Sequence, residues 1–217
     1  MSMRSLSIIF TLVFMSLIVN AQTVEDFFKN KETKITWLGI DYSHVKLIGD
    51  FAQFSSAGKN NYIDIKQKYF PAWNNIILKE KQKYDVKGMI NRREISYNLH
   101  DIKILNENAD VFGMEAYDNP NYTKENIAKF VSEYKFTQAG EGIAILLIAE
   151  SLNKNDNIAI YHFIAINAKT NEVLISERVS GKPGGFGVKN YWARSIYETI
   201  NEIKRNYMPW GNKYLNK

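Results

Sequence analysis

The chain has 217 residues, a net charge of +5 from 28 Lys and Arg against 23 Asp and Glu, 45% hydrophobic residues and no cysteine. This length suits one domain with a full core, and the lack of cysteine excludes both a disulfide framework and a lipid-modified cysteine. The basic residues are scattered, and the densest group, Lys79 to Lys83, is interleaved with Glu80; it reads as a solvated helix face, so no nucleic acid is expected as a partner.

At the amino terminus, Arg4 precedes an apolar run from Leu6 to Val19 that ends in Val19-Asn20-Ala21. The small residues at the minus three and minus one positions fit a signal peptidase, with cleavage after Ala21 leaving Gln22 first. The run is shorter than the about 20 residues a spanning helix needs. The expectation is a signal peptide over 1–21, export to the periplasm or beyond, and no transmembrane segment in the mature chain.

The mature chain opens with "TVEDFFKNK", where Thr23 and the acidic residues after it predict a short capped helix that packs as an arm. "TKITWLGIDYSHVKLIGDF" is rich in β-branched and aromatic residues, but its alternation loses phase past Gly39. It reads as a long strand bent or bulged between Gly39 and Ser43. "YFPAWNNIILKEKQKY" places Pro71 in the first turn of a helix and Trp73, Ile76 and Ile77 at helical spacing, and "DVKGMI" adds a short turn or helical extension. In "EISYNLHDIKIL" the period changes to two, which predicts a strand bulged near His100.

After a polar connection, Thr123 is a cap for a helix whose face carries Ile127, Phe130, Val131 and Tyr134. Three strands follow, "GIAILLIAES", "IAIYHFIAIN" and "VLISERVS", joined by the polar turns "NKNDN" and "AKTNE"; this is an antiparallel meander, with the first two strands covered on both faces. A last helix carries Trp192, Ile196, Ile200, Ile203 and Tyr207 and is expected to end at Pro209. The order β-α-β-α-β-β-β-α implies a single α/β domain over 22–217, with a mixed sheet of about five strands.

Between the meander and the last helix lies "GKPGGFG", with Gly181, Gly184, Gly185 and Gly187 and, as cations, Lys182 within it and Lys189 and Arg194 after it. Glycines let successive N-H groups converge on an anion at a helix start, with the three cations as countercharges. The spacing matches neither the Walker nor the dinucleotide pattern, and Pro183 lacks an N-H. The competing structural reading is a tight strand-to-helix crossing with positive φ at the glycines and Phe186 tucked into the core. Lys182, Gly184, Gly185, Phe186, Gly187, Lys189 and Arg194 together are the candidate contact residues for a ligand or partner.

Other chemistry-bearing residues carry weaker signals. Asp41, Ser43 and His44 are the residue types of a hydrolytic triad, but on an extended strand His44 points away from the other two. His44, His100 and His162 fall on separate predicted strands without metal-ligand spacing, so neither a metal nor another cofactor is expected. His162, sharing a face with Ile160 and Ile164, is expected to be a hydrogen-bonded core histidine. Glu141, Glu150 and Glu177 are expected to be solvated or ion-paired, and all four tryptophans to pack in the core or at its edge, Trp210 being the one placed to serve as a surface anchor.

At "TWLGIDYSHVKLIGDF", "YFPAWNNIILKE" and "SGKPGGFGVKNYWARSIYETINEIK" the chain resembles a family of exported Bacteroidetes proteins to which no activity is assigned. Its element order resembles the α/β domain of the TolB amino-terminal region, LpoB and CsgG. That resemblance implies an envelope protein that works by binding other proteins. The favoured reading is therefore an exported non-enzymatic binding or accessory module whose partner is an envelope protein. The alternative is a site for a phosphate, nucleotide-like or other anionic ligand at residues 181–187, with or without turnover.

Overall fold

The computed structural model describes residues 22–52, 62–134 and 141–216; the expected signal segment 1–21 lies outside them. Seven strands form one sheet among these residues. Its centre is β5 (Ile143–Asn153), all eleven residues of which are buried. On one side β1 (Ile35–Asp41) and β2 (Lys46–Ile48) pair parallel with the two ends of β5. They are the predicted long strand, with a bulge between Trp37 and Gly39 and a break over residues 42–45. On the other side β6 (Ile158–Asn167) and β7 (Val173–Gly181) complete the antiparallel meander. Asn157 (φ 51°) and Asn171 (φ 59°) take the left-handed conformation in its two polar turns, which asparagine tolerates better than most side chains.

Alternation along β6 separates two cores. Tyr161, Phe163 and Ala165 face α1 (Val24–Phe28), α3 (Phe70–Lys79), α4 (Val86–Met89) and α7 (Val188–Leu215). Ile164 and Ile166 face the side of Ile102, from α5 (His100–Glu107), and Ile127 and Val131, from α6 (Lys124–Ser132). Trp37, Trp73 and Trp192 are fully buried, and Trp210 stacks on Phe163 with ring centroids 5.8 Å apart. Trp210 is thus core rather than a surface anchor. Short α2 (Tyr62–Asp64) and a π-helical turn (Ile65–Tyr69) lead into α3.

Two elements depart from expectation. The predicted strand around His100 shrinks to β3 (Ser96–Tyr97), and residues 100–107 form α5. Leu99, Ile102 and Asn106 also stand at helical spacing, and the Asn98 side chain accepts the His100 N-H at 3.1 Å at the helix start. The helix lies beside β1, where packing decides between two patterns the segment carries equally. Likewise α7 does not end at Pro209 but runs on to Leu215. An interior proline costs about 3 kcal/mol. That cost is offset because Trp210 lies on Phe163, Gly211 faces the Phe28 ring and the Tyr214 hydroxyl reaches Ser176.

Side chains close the edge of β1 beyond β3 and the edge of β7. Beyond β3, the buried Asn74 accepts the Ile40 N-H at 2.7 Å and donates to the Ile40 carbonyl at 3.0 Å. Asn106 accepts the Tyr42 N-H at 2.6 Å and donates to the same Ile40 carbonyl at 2.9 Å. The two amides satisfy backbone groups that a neighbouring strand would otherwise take. On β7 the Tyr214 hydroxyl accepts the Ser176 N-H at 3.3 Å, and the Glu202 carboxylate accepts the Ser180 N-H at 2.8 Å. An edge blocked in this way resists strand-to-strand association.

The amino-terminal arm is held as firmly. Thr23 and Asp26 form a reciprocal capping box at the start of α1. At its other end the Arg92 guanidinium, 7% exposed, donates to the carbonyls of Asn30 at 2.6 Å, Phe27 at 2.7 Å and Asp26 at 3.2 Å. The Asp26 and Phe27 carbonyls have no partners inside so short a helix. Arg92→Ala is expected to cost about 2–3 kcal/mol, the range for losing charge-assisted bonds to buried groups. Amide exchange should rise first over residues 24–30 while β5 and β6 stay protected; uniform loss of protection would show that the arm is not a separate unit.

Candidate functional site

Loop 182–187 leaves β7 and enters α7. Gly185 (φ 99°) and Gly187 (φ 77°) have the positive φ expected of a tight crossing. Phe186, however, is 97% exposed, so it is not tucked into the core. The loop turns back on the helix and fixes Phe186 at its tip. The Gly184 N-H donates to the Tyr191 carbonyl at 3.0 Å, the Tyr191 N-H to the Gly187 carbonyl at 2.9 Å, and the Asn190 amide to the Phe186 carbonyl at 3.2 Å.

Beside the loop, on the flank of α7, is an open cleft of about 630 Å³ walled by Lys182, Gly184, Gly185 and Arg194 and, across from them, Lys83 and Tyr84. Of the three expected cations, two converge here. The backbone carbonyl of Lys189 is held by the Trp73 indole N-H at 3.1 Å, and its side chain stays outside the cleft. Lys83 takes its place. It comes from the group read as a helix face, which in fact forms the turn after α3. Glu198 also lines the cleft and accepts from the Arg194 Nε at 2.7 Å, so one countercharge is already engaged. Their i, i+4 spacing was the available sequence signal for that pair.

The arrangement is a trough of side chains and not a nest of backbone donors. Pro183 has no N-H, that of Gly184 is spent on Tyr191, and the walls come from the side of α7 rather than from its end. Lys83 lies 5.2 Å from the Tyr84 ring and the Arg194 guanidinium 5.3 Å from the Tyr197 ring. Burial pushes the Tyr84 hydroxyl above its usual pKa, so it stays neutral at physiological pH.

No triad assembles from Asp41, Ser43 and His44. One Asp41 oxygen accepts the Tyr134 hydroxyl and the other the Ser43 N-H at 2.7 Å. His44 instead stacks on Phe130, centroids 3.7 Å apart, with Glu133 3.8 Å away. The histidines do not meet either: His44 lies in the turn after β1, His100 begins α5 and His162 is on β6. Among the described residues no group of three metal-binding side chains comes together, and no helix is long and apolar enough to cross a membrane.

A charged cluster is centred on β5. Glu150, fully buried at a bulge of β5, accepts from His162 at 2.7 Å and from Arg178 at 3.0 Å (Nε) and 2.7 Å (Nη2). Burial pulls the carboxyl upward, but these bonds and the guanidinium charge outweigh it and hold the pKa at about 2. Arg178 also donates to Asn121 at 3.3 Å, and Ser151 to Asn119 at 2.6 Å, so the cluster fastens the 117–122 segment across the sheet. His162 is thus the hydrogen-bonded core histidine that its position beside Ile160 and Ile164 predicts. Glu177 pairs with Lys213 at 2.6 Å and Glu141 with Lys34 at 3.9 Å.

In comparisons with known proteins, no family model matches this chain and no curated protein shows significant similarity to it.

Proposed function

We propose that this protein is an exported, non-enzymatic binding module of the bacterial cell envelope, and that it holds a partner protein with loop 182–187 and the adjoining start of α7. The observation that carries this reading is the near-complete exposure of Phe186 at the tip of a loop anchored by three hydrogen bonds. A large aromatic side chain held out in water on a preorganised loop is what an interface anchor needs, because little ordering entropy is lost on contact. Lys182 and Lys189 flank it and supply long-range attraction. The resemblances in element order to envelope binding domains point the same way.

The test is capture from native envelope by the wild-type protein and by two variants, Phe186→Ser and the triple change Lys182→Ala, Lys189→Ala, Arg194→Ala, each first shown to unfold like wild type. A partner bound by the wild type, identified and then bound again in purified form, is expected to be lost in both variants. Equal capture by all three would overturn the reading.

The cleft supports a second reading, binding of a phosphate or nucleotide-like anion between Lys83 and Lys182. It predicts a thermal shift with inorganic phosphate or nucleotides that Lys182→Ala abolishes and salt weakens. No shift with any of these anions would remove it.

A further inference from the structure

A second exposed aromatic surface lies across the sheet from the loop. Strand β4 (Glu115–Ala116) pairs with β2 and forms one edge of the sheet, while β7, from which the glycine-rich loop leaves, forms the other. Flanking β4, Phe112 is 92% exposed and Tyr117 90%. With Phe186 these are the three most exposed large hydrophobic side chains among the described residues. Each surface also carries a net charge of its own sign. Around β4 stand Asp110, Glu115 and Asp118, partly offset by the ammonium groups of Lys46, which donates to the Gly113 carbonyl, and Lys66, which donates to the Ala109 carbonyl at 3.0 Å. Around Phe186 stand Lys182 and Lys189, neither with an ion-pair partner among the described residues.

We infer that the protein binds a second copy of itself, the basic aromatic loop 182–189 of one copy docking on the acidic aromatic edge 110–118 of another. The inference rests on the reading of the loop as a contact surface and names its partner. Three considerations support it. The surfaces match in kind: rings can stack on rings, and lysines can meet both carboxylates and ring faces. They match in sign. They also cannot neutralise each other within one molecule, because β4 and β7 are four strand spacings apart, on the order of 19 Å, more than two Debye lengths at physiological ionic strength. Pairing different patches makes the contact heterologous, so a pair of copies keeps one free loop and one free edge unless a ring or two-fold arrangement closes.

The contact is small. Three aromatic side chains bury about 150–250 Å² each, so the core of the contact is well below the roughly 1,200–2,000 Å² of a standard interface. A dissociation constant between about 10 μM and 1 mM is expected, with strong salt dependence.

The experiment measures mass against concentration by light scattering for the purified protein from Gln22 onward, at about 50 mM and about 500 mM salt. Variant one carries Phe186→Ser and Lys182→Glu; variant two carries Phe112→Ser and Tyr117→Ser. All four positions are exposed, so folding should be unaffected, and thermal unfolding checks it. The wild-type mass should rise with concentration at low salt and fall back at high salt. Each variant alone should stay monomeric, and an equimolar mixture should form one-to-one dimers, because each retains the patch the other lacks. A wild type that stays monomeric up to about 1 mM, association that survives in either variant, or a mixture that does not dimerise would each overturn the inference. Failure here leaves the envelope partner untouched, since capture by the loop is measured separately; equal capture by the wild type and the loop variants, with self-association as expected, would instead remove the envelope reading and keep this one.

Discussion

Gly181→Ala is expected to destabilise the protein by about 3 kcal/mol or more, whereas Gly184→Ala, three residues along the same motif, should change stability by less than about 0.5 kcal/mol. A methyl group on Gly181 would sit 1.9 Å from the Ser195 carbonyl oxygen and 2.6 Å from the Thr199 hydroxyl. The first of these is helix backbone, so relief requires moving α7, which packs against β7, β6, α3 and α4 and therefore cannot shift locally. At Gly184 the nearest atom is the Arg194 Cγ at 3.7 Å, an ordinary contact, and φ is not positive. Gly185 and Gly187 form a third class. They have room for a side chain but have positive φ, so alanine there should cost about 1–2 kcal/mol in backbone strain. Urea denaturation of the four variants tests the ranking. Equal losses at Gly181 and Gly184 would mean that close packing of β7 on α7 is not what the first glycine provides.

Replacing Glu150 with glutamine should cost about 3 kcal/mol at neutral pH, and the deficit should disappear in acid. The folded pKa of about 2 lies below the ordinary 4.5, which corresponds to about 3 kcal/mol of stability. For a carboxyl lowered in the folded state, that stability is fully present above the unfolded pKa. It is lost as pH falls from about 4.5 through about 2. Glutamine keeps the shape but not the charge that satisfies His162 and Arg178, so Glu150→Gln should have no such loss in that window. Stability of wild type and variant measured side by side from pH 7 to 2 should give converging curves. Parallel curves would show that the carboxylate is not what the cluster depends on. The position matters because Glu150 stands in the middle of a fully buried strand, where an unpaired charge would be far costlier than the pair is valuable.

Features set by neighbouring residues were legible in the sequence. Thr23 and Thr123 cap α1 and α6 as read, through bonds spanning three residues, and Asp26 and Asn126 complete each cap as a reciprocal box. The polar turns place the meander, and the two-sided apolar pattern of β5 and β6 marks them as covered on both faces. Loss of phase near Gly39 announced the bulge and break between β1 and β2 because a change of face must appear in the side-chain pattern itself. For the site, Lys182 and Arg194 were recognisable as neighbours of one loop, since a tight turn keeps its flanking residues close.

Only the tertiary structure decided the rest, wherever the deciding contact lies far along the chain. Residues 100–107 carry both a two-residue and a helical pattern, and packing beside β1 selects the helix, with Asn106 bonding to Ile40 and Tyr42. Pro209 stays inside α7 because Phe28, Phe163 and Ser176 hold the helix beyond it. Phe186 faces solvent because Gly184 and Asn190 bond the loop back onto α7, leaving the ring no core to enter. Lys83 joins the cleft from about a hundred positions away. Local chemistry determines where helices and turns begin, over a few residues; which surfaces meet is settled by the sum of distant burial and hydrogen bonding, and the binding surface of this protein belongs to that second kind.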